Sequence, residues 1–124
     1  MKLIDTIPLP NGLEIEVWDA SRSIAADTVR VDLIIKVTVE IKREYFREPD
    51  QYQKTRDAFG SDIVFEYKKE RSFVPKESGR AVFYELLKEF KANTLNYISR
   101  PDFPSRFILS KYAEIQKNPY KFQR

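Results

Sequence analysis

The chain has 124 residues, 42% apolar, 33% charged and 14% aromatic, a balance that fits one soluble domain able to bury a single core without crosslinks. With neither cysteine nor histidine, it excludes disulfides, thiol nucleophiles, iron–sulfur clusters and the usual zinc and copper sites, and leaves carboxylates as the only side chains suited to a hard cation. The net charge of +3 is too mild for a dedicated nucleic-acid binder, yet it is unevenly spread: residues 1–27 hold two basic against five acidic side chains, and residues 100–124 six against two.

From the N-terminus, Lys2 to Leu9 and Leu13 to Asp19 read as a hairpin around Pro10-Asn11-Gly12, because Asn-Gly tolerates the positive φ that tight hairpin turns require. Pro8 has no N–H to give a ladder and makes the first strand an edge. Ala20 to Asp27, rich in small and hydroxyl residues, is expected to be a loop or a single helical turn. Thr28 to Lys42 then alternates apolar and polar residues with Ile34 as its one exception, the pattern of a long strand with one face on a core. Its length calls for a bend or bulge within it.

Pro49 to Phe59 is expected to be a short helix, with Pro49 in the first turn and Gly60 at the C′ position. Asp62 to Val74 returns to alternation, with Ile63, Phe65 and Tyr67 on one face, while Lys69 and Arg71 on that same face predict that the far end leaves the core. Ser78 to Ser99 has the clearest helical period: Phe83, Leu86, Leu87, Phe90, Thr94, Tyr97 and Ile98 share one stripe. After Arg100-Pro101, Asp102 is placed as the N-cap of a last helix that ends at Asn118-Pro119 and presents Ile108, Tyr112 and Ile115. Strands grouped ahead of helices predict a single α+β domain: a four-stranded antiparallel meander packed on one face by C-terminal helices. A small, partly closed β-barrel with a helical cap is the alternative. Within this frame Leu33, Ile35 and Val37 should be buried under Phe83, Leu87 and Phe90, with Arg30, Lys36 and Glu40 exposed.

No apolar run reaches the length of a membrane span and the first residues lack the features of a signal peptide, so the expected place is the cytoplasm, without membrane attachment. The most site-like segment is Asp19-Ala20-Ser21-Arg22 with Asp27, short polar groups in a connection between strands. As structural residues, Asp19 and Ser21 would accept backbone N–H bonds in an Asx or Ser turn and Arg22 would pair with Asp27 or a neighbouring Glu. A second candidate, for anions, is the basic row of Arg100, Arg106, Lys117 and Lys121, extended by Arg124. Glu14 and Glu16 share a strand face and read as solvated, and Tyr84 with Lys88 reads as a pair of helix neighbours. Trp18, Tyr45, Phe46, Tyr120 and Phe122 have no assigned apolar face and suggest a contact surface.

Asp19-x-Ser21 after a strand resembles the second half of the PilZ signature, R-x-x-x-R followed by D/N-x-S-x-x-G, of small bacterial β-barrels that bind cyclic di-GMP. Ile24 stands in place of the glycine and no arginine precedes Arg22. The wider pattern P-N-G-L…D-x-S-R…A-x-D, ending D-F-P-S-R-F-I-L-S-K-Y, is similar to uncharacterised small bacterial proteins, a resemblance that implies no activity. The expected function is a non-catalytic interaction module for a protein partner or for itself. Nucleic-acid or anionic-ligand binding through the last helix and tail is the first alternative, and a carboxylate enzyme using Asp19 and Asp27 the second. No cofactor, metal site or catalytic residue is assigned.

Overall fold

The structure, a computed structural model, describes residues 1–122 and, of Phe122, the backbone alone, so Arg124 and the Phe122 side chain lie outside the described residues. The architecture is α+β, with an antiparallel sheet and several helices, and the sheet is not closed into a barrel. By contacts the chain divides into two compact units, residues 1–37 with 66–100, and residues 38–65 with 101–124. Strands β4 (Thr28–Glu40) and β5 (Asp62–Pro75) pair with each other, and each contributes residues to both units.

In the first unit, β1 (Lys2–Pro8) pairs with β2 (Glu14–Asp19), and β2 pairs with β4 from Ile15 opposite Val37 to Asp19 opposite Leu33. The two-residue β3 (Arg22–Ser23) continues in that same register, Arg22 opposite Arg30 and Ser23 opposite Val29, so the expected loop at 20–27 begins as an extension of β2. A register shift is seen in β1, between Leu3 and Asp5, where Ile4 is the extra residue, while β4 keeps one register against β2 and β3 from Val29 to Val37. An edge strand, held on one side only, absorbs a bulge at lower cost than a central strand paired on both.

The hairpin turn also differs from the expectation. Leu9 N–H bonds to the Leu13 carbonyl and Gly12 N–H to the Leu9 carbonyl, which leaves a three-residue loop in which Gly12 alone has positive φ, at 88°. Asn11 serves a different purpose. Its Nδ2 donates to the carbonyls of Ile98 at 2.8 Å and Arg100 at 2.9 Å, and its Oδ1 accepts from Leu13 N–H.

Val31, Leu33, Ile35 and Val37 are fully buried, as are Ile15 and Val17 from β2. Helix α2 (Gly79–Asn93) turns Phe83, Leu86, Leu87 and Phe90 inward, and the Phe90 ring lies 5.1 Å from that of Tyr67 on β5. Its first residue comes so close to β4 that a Cβ on Gly79 would stand 3.2 Å from Val29 Cγ2. The helix expected to run to Ser99 breaks at Thr94 (φ −120°), and α3 (Leu95–Ile98) restarts the turn. That break explains why Ile98 is buried while Tyr97, expected on the stripe, is 53% exposed. On the other face of the sheet, Arg30 and Lys36 are half-buried rather than exposed. Arg30 pairs with Asp32 and Glu70, and Lys36 lies 5.8 Å above the Trp18 ring.

In the second unit, α1 (Pro49–Phe59) has the expected bounds. Glu48 and Gln51 close a capping box, Pro49 occupies the first turn, and Gly60 follows at φ 89°. Helix α4 (Phe103–Lys117) packs Phe103 and Phe107 edge-on against Phe65 of β5. Phe46 rests between Tyr52 and Tyr112, and burial pushes the Tyr45 hydroxyl pKa up. Two of the aromatics without an assigned face therefore belong to this unit's own packing.

Candidate functional site

The chain between β2 and β3 leaves the ladder at Ala20 and Ser21 without losing register, and the side chains of Asp19 and Ser21 take part in the bonding there. Ala20 N–H still bonds to the Asp32 carbonyl at 3.0 Å. The return bond is made by a side chain: Asp32 N–H donates to Ser21 Oγ at 3.1 Å. Asp19 Oδ1 in turn accepts Ser21 N–H at 2.9 Å, closing an Asx turn. The aspartate and the serine thus take the place of ladder bonds, and Arg22 follows in β3, lining one pocket with the start of α2.

There a pocket of about 470 Å³ opens in the first unit. Its basic side chains come from four separate segments: Lys2 of β1, Arg22 of β3, Lys76 of the 3₁₀ turn Lys76–Ser78, and Arg80 of α2. Asp19 is the one carboxylate in the lining, and one of its oxygens is already engaged by the Ser21 N–H. Among the described residues none of these four cations has an ion pair, whereas Arg30, Lys54, Lys68, Arg71, Arg106 and Lys111 each stand beside a carboxylate. Helix α2 opens without a side-chain cap bond and with no acidic residue in its first turn, so its positive end is not offset there. Lys76 is fixed by its own N–H, which bonds to the Asp27 carbonyl at 2.9 Å. Ile4, Val29, Val31 and Phe83 supply an apolar wall.

Of the site residues expected from the sequence, the pocket brings together Asp19, Ser21 and Arg22. Asp27 is not in the lining and contributes its backbone to Lys76. The pair of carboxylates that an Asp19–Asp27 enzyme needs is therefore not assembled in this pocket. The basic row resolves differently. Asp102 stands at the N-cap of α4 as expected and its carbonyl accepts the Arg106 N–H, but its side chain makes no cap bond and pairs instead with Arg106 Nε at 2.8 Å. Lys117 and Lys121 are exposed, and Arg100 belongs to the first unit, where its carbonyl receives Asn11. Glu16 accepts the Trp18 Nε1–H at 2.9 Å. Among the described residues no three carboxylates gather as a cation would need, and no helix is long and apolar enough to cross a membrane.

Lys2, Lys76, Arg80 and the ring of Tyr84 are pocket residues that the sequence did not reveal. The one local signal was the run Lys76-Glu77-Ser78-Gly79-Arg80, cations flanking a Ser-Gly helix start; Lys2 carries no signal at all, because only the β1–β2 register brings it beside Asp19. Compared with known proteins, the chain matches no family model, no curated protein and no solved structure, so the geometry of this pocket is what the functional reading rests on.

Proposed function

We propose that this protein binds a small, multiply charged anion in the pocket at the start of α2, and that it acts as a binding protein rather than a catalyst. The observation that carries this reading is the convergence of Lys2, Arg22, Lys76 and Arg80, none of them ion-paired among the described residues, on one cavity with a single carboxylate. Like charges brought together without partners repel, and an anionic ligand relieves that repulsion while forming charge-assisted hydrogen bonds to these side chains. Pyrophosphate is a suitable probe. Isothermal titration at low ionic strength should show saturable binding that weakens as salt is added, and Arg22→Glu with Arg80→Glu should weaken it at least about tenfold. Binding that is undetectable at millimolar pyrophosphate, or unchanged in the double variant, would sink the reading.

A second reading, association with another copy of the chain, has one specific observation behind it. Leu3, Trp18 and Ile34 lie directly opposite one another across three strands, on the face away from the core, and Leu3 is 44% exposed. Ile34, the residue that breaks the alternation of β4, is therefore part of an apolar row. Sedimentation at micromolar concentration should then show a dimer that Ile34→Lys converts to a monomer; a monomeric parent protein removes this second reading.

A further inference from the structure

Building on the anion-binding reading, we infer that the ligand is a nucleotide, a phosphate carrying an aromatic base, rather than an inorganic anion. The cavity of about 470 Å³ falls in the size range of sites for organic ligands and far exceeds one tetrahedral anion. Its lining is divided in kind. The cations and the hydroxyls of Ser21 and Ser23 suit phosphate oxygens, while Ile4, Val29, Val31 and Phe83 have nothing to offer an anion and suit an apolar or aromatic body.

The arrangement at the rim narrows the class of that body. Tyr84, one helical turn after Arg80, is 46% exposed and has the Arg80 guanidinium 6.0 Å from its ring centre. Phe83 meets the same ring edge-on, 5.5 Å between centres at 89°, which braces its orientation. A braced tyrosine with an arginine plane beside it is the kind of surface on which a nucleobase stacks, and every base has the π-face such stacking requires. The same arginine is then shared between base and phosphate. Four cations against one carboxylate match a ligand with two or three negative charges, as a nucleoside diphosphate has.

The test compares three probes on the purified protein: pyrophosphate, adenosine and the four common ribonucleoside diphosphates, titrated calorimetrically in one low-salt buffer. At least one nucleoside diphosphate should bind about tenfold more tightly than pyrophosphate, and Tyr84→Ala should remove that preference, read as the ratio of the two affinities measured in the same variant. Tyr84→Phe, which keeps the ring, should retain it. Tyr84 is exposed, so the variants test stacking rather than folding, and a melt of each confirms that. If pyrophosphate binds as well as every diphosphate, or if Tyr84→Ala leaves the preference intact, the nucleotide inference is overturned and the anion site stands. If neither pyrophosphate nor any diphosphate binds, both fall together.

Discussion

In α4, Arg106 stands one turn from Asp102 and Lys111 three residues before Glu114, so each cation finds its carboxylate on its own helix. Around the start of α2, Lys2, Arg22, Lys76 and Arg80 come from four segments and meet only Asp19, part of whose carboxylate a turn already uses. The C-terminal stretch is the more basic of the two regions in sequence, and its Arg106 and Lys111 are locally neutralised. Charge counted along a chain registers the first kind of cluster and is blind to the second. What separates them is spacing: i,i+3 and i,i+4 neighbours meet whatever the fold, whereas residues dozens of positions apart meet only through strand register and helix placement.

That contrast depends on the core that holds α2 against the sheet, so the largest way to break it is from beneath. Phe90 is fully buried and touches the Tyr67 ring. Phe90→Ala should cost about 3–5 kcal/mol in denaturant melts, a large share of a small domain's stability. Anion binding should fall with the folded fraction. Loss of under about 1 kcal/mol would mean that α2 is not anchored as described, and the pocket would lose its wall.

Much of this frame was legible in the sequence. Periodicity of two in β4 and β5, and of 3.6 in α2, reports which face meets a core because burial is what selects those residues. Proline and glycine fixed both ends of α1 for steric reasons that hold locally. The reading failed where a side chain serves a distant backbone. Asn11 is a turn residue that also bonds to the carbonyls of Ile98, at the end of α3, and of Arg100; Asp102 stands at the N-cap, yet its side chain pairs with Arg106 instead of capping. At the candidate site, the turn chemistry of Asp19 and Ser21 was visible because it spans three residues. The pocket they border was not, since Lys2 and Arg80 are adjacent only after the sheet and helix are in place.

Asn11 offers the next largest effect and sharpens the comparison by leaving the cations alone. Its Nδ2 satisfies the carbonyls of Ile98, the last residue of α3, and of Arg100 just after it. Asn11→Ala should cost about 1–3 kcal/mol, the range for leaving buried or part-buried partners unmet. Pyrophosphate binding should stay within about twofold, a difference of only a few tenths of a kcal/mol. A weakened site would mean that the hairpin end and the pocket are coupled.

Ser21 is smaller in stability and closer to the site. Ser21→Ala leaves Asp32 N–H without its partner at an exposed position where water substitutes, so the cost should be about 0.5–1.5 kcal/mol. Because Ser21 itself lines the pocket and its hydroxyl ties the chain beside Arg22 to β4, anion affinity should fall as well. Ser21→Thr keeps the oxygen and should restore both. Stability lost without any change in affinity would assign Asp19-x-Ser21 a purely structural role.

The smallest expected effect is the one that decides the comparison. Arg106 is 70% exposed and its pairing with Asp102 is an i,i+4 surface contact, screened by salt and opposed by side-chain entropy. Arg106→Ala should therefore change stability by less than about 0.5 kcal/mol, and that little should vanish at high salt. It should leave pyrophosphate binding untouched, whereas Arg80→Ala, equally mild in melts because Arg80 is exposed and has no ion pair among the described residues, should weaken binding about tenfold. Two arginines of like exposure and like small cost to folding would then differ only in function. Equal losses of affinity would place the anion contacts in α4 as well, and the distinction between paired and converging cations would no longer explain where the ligand binds.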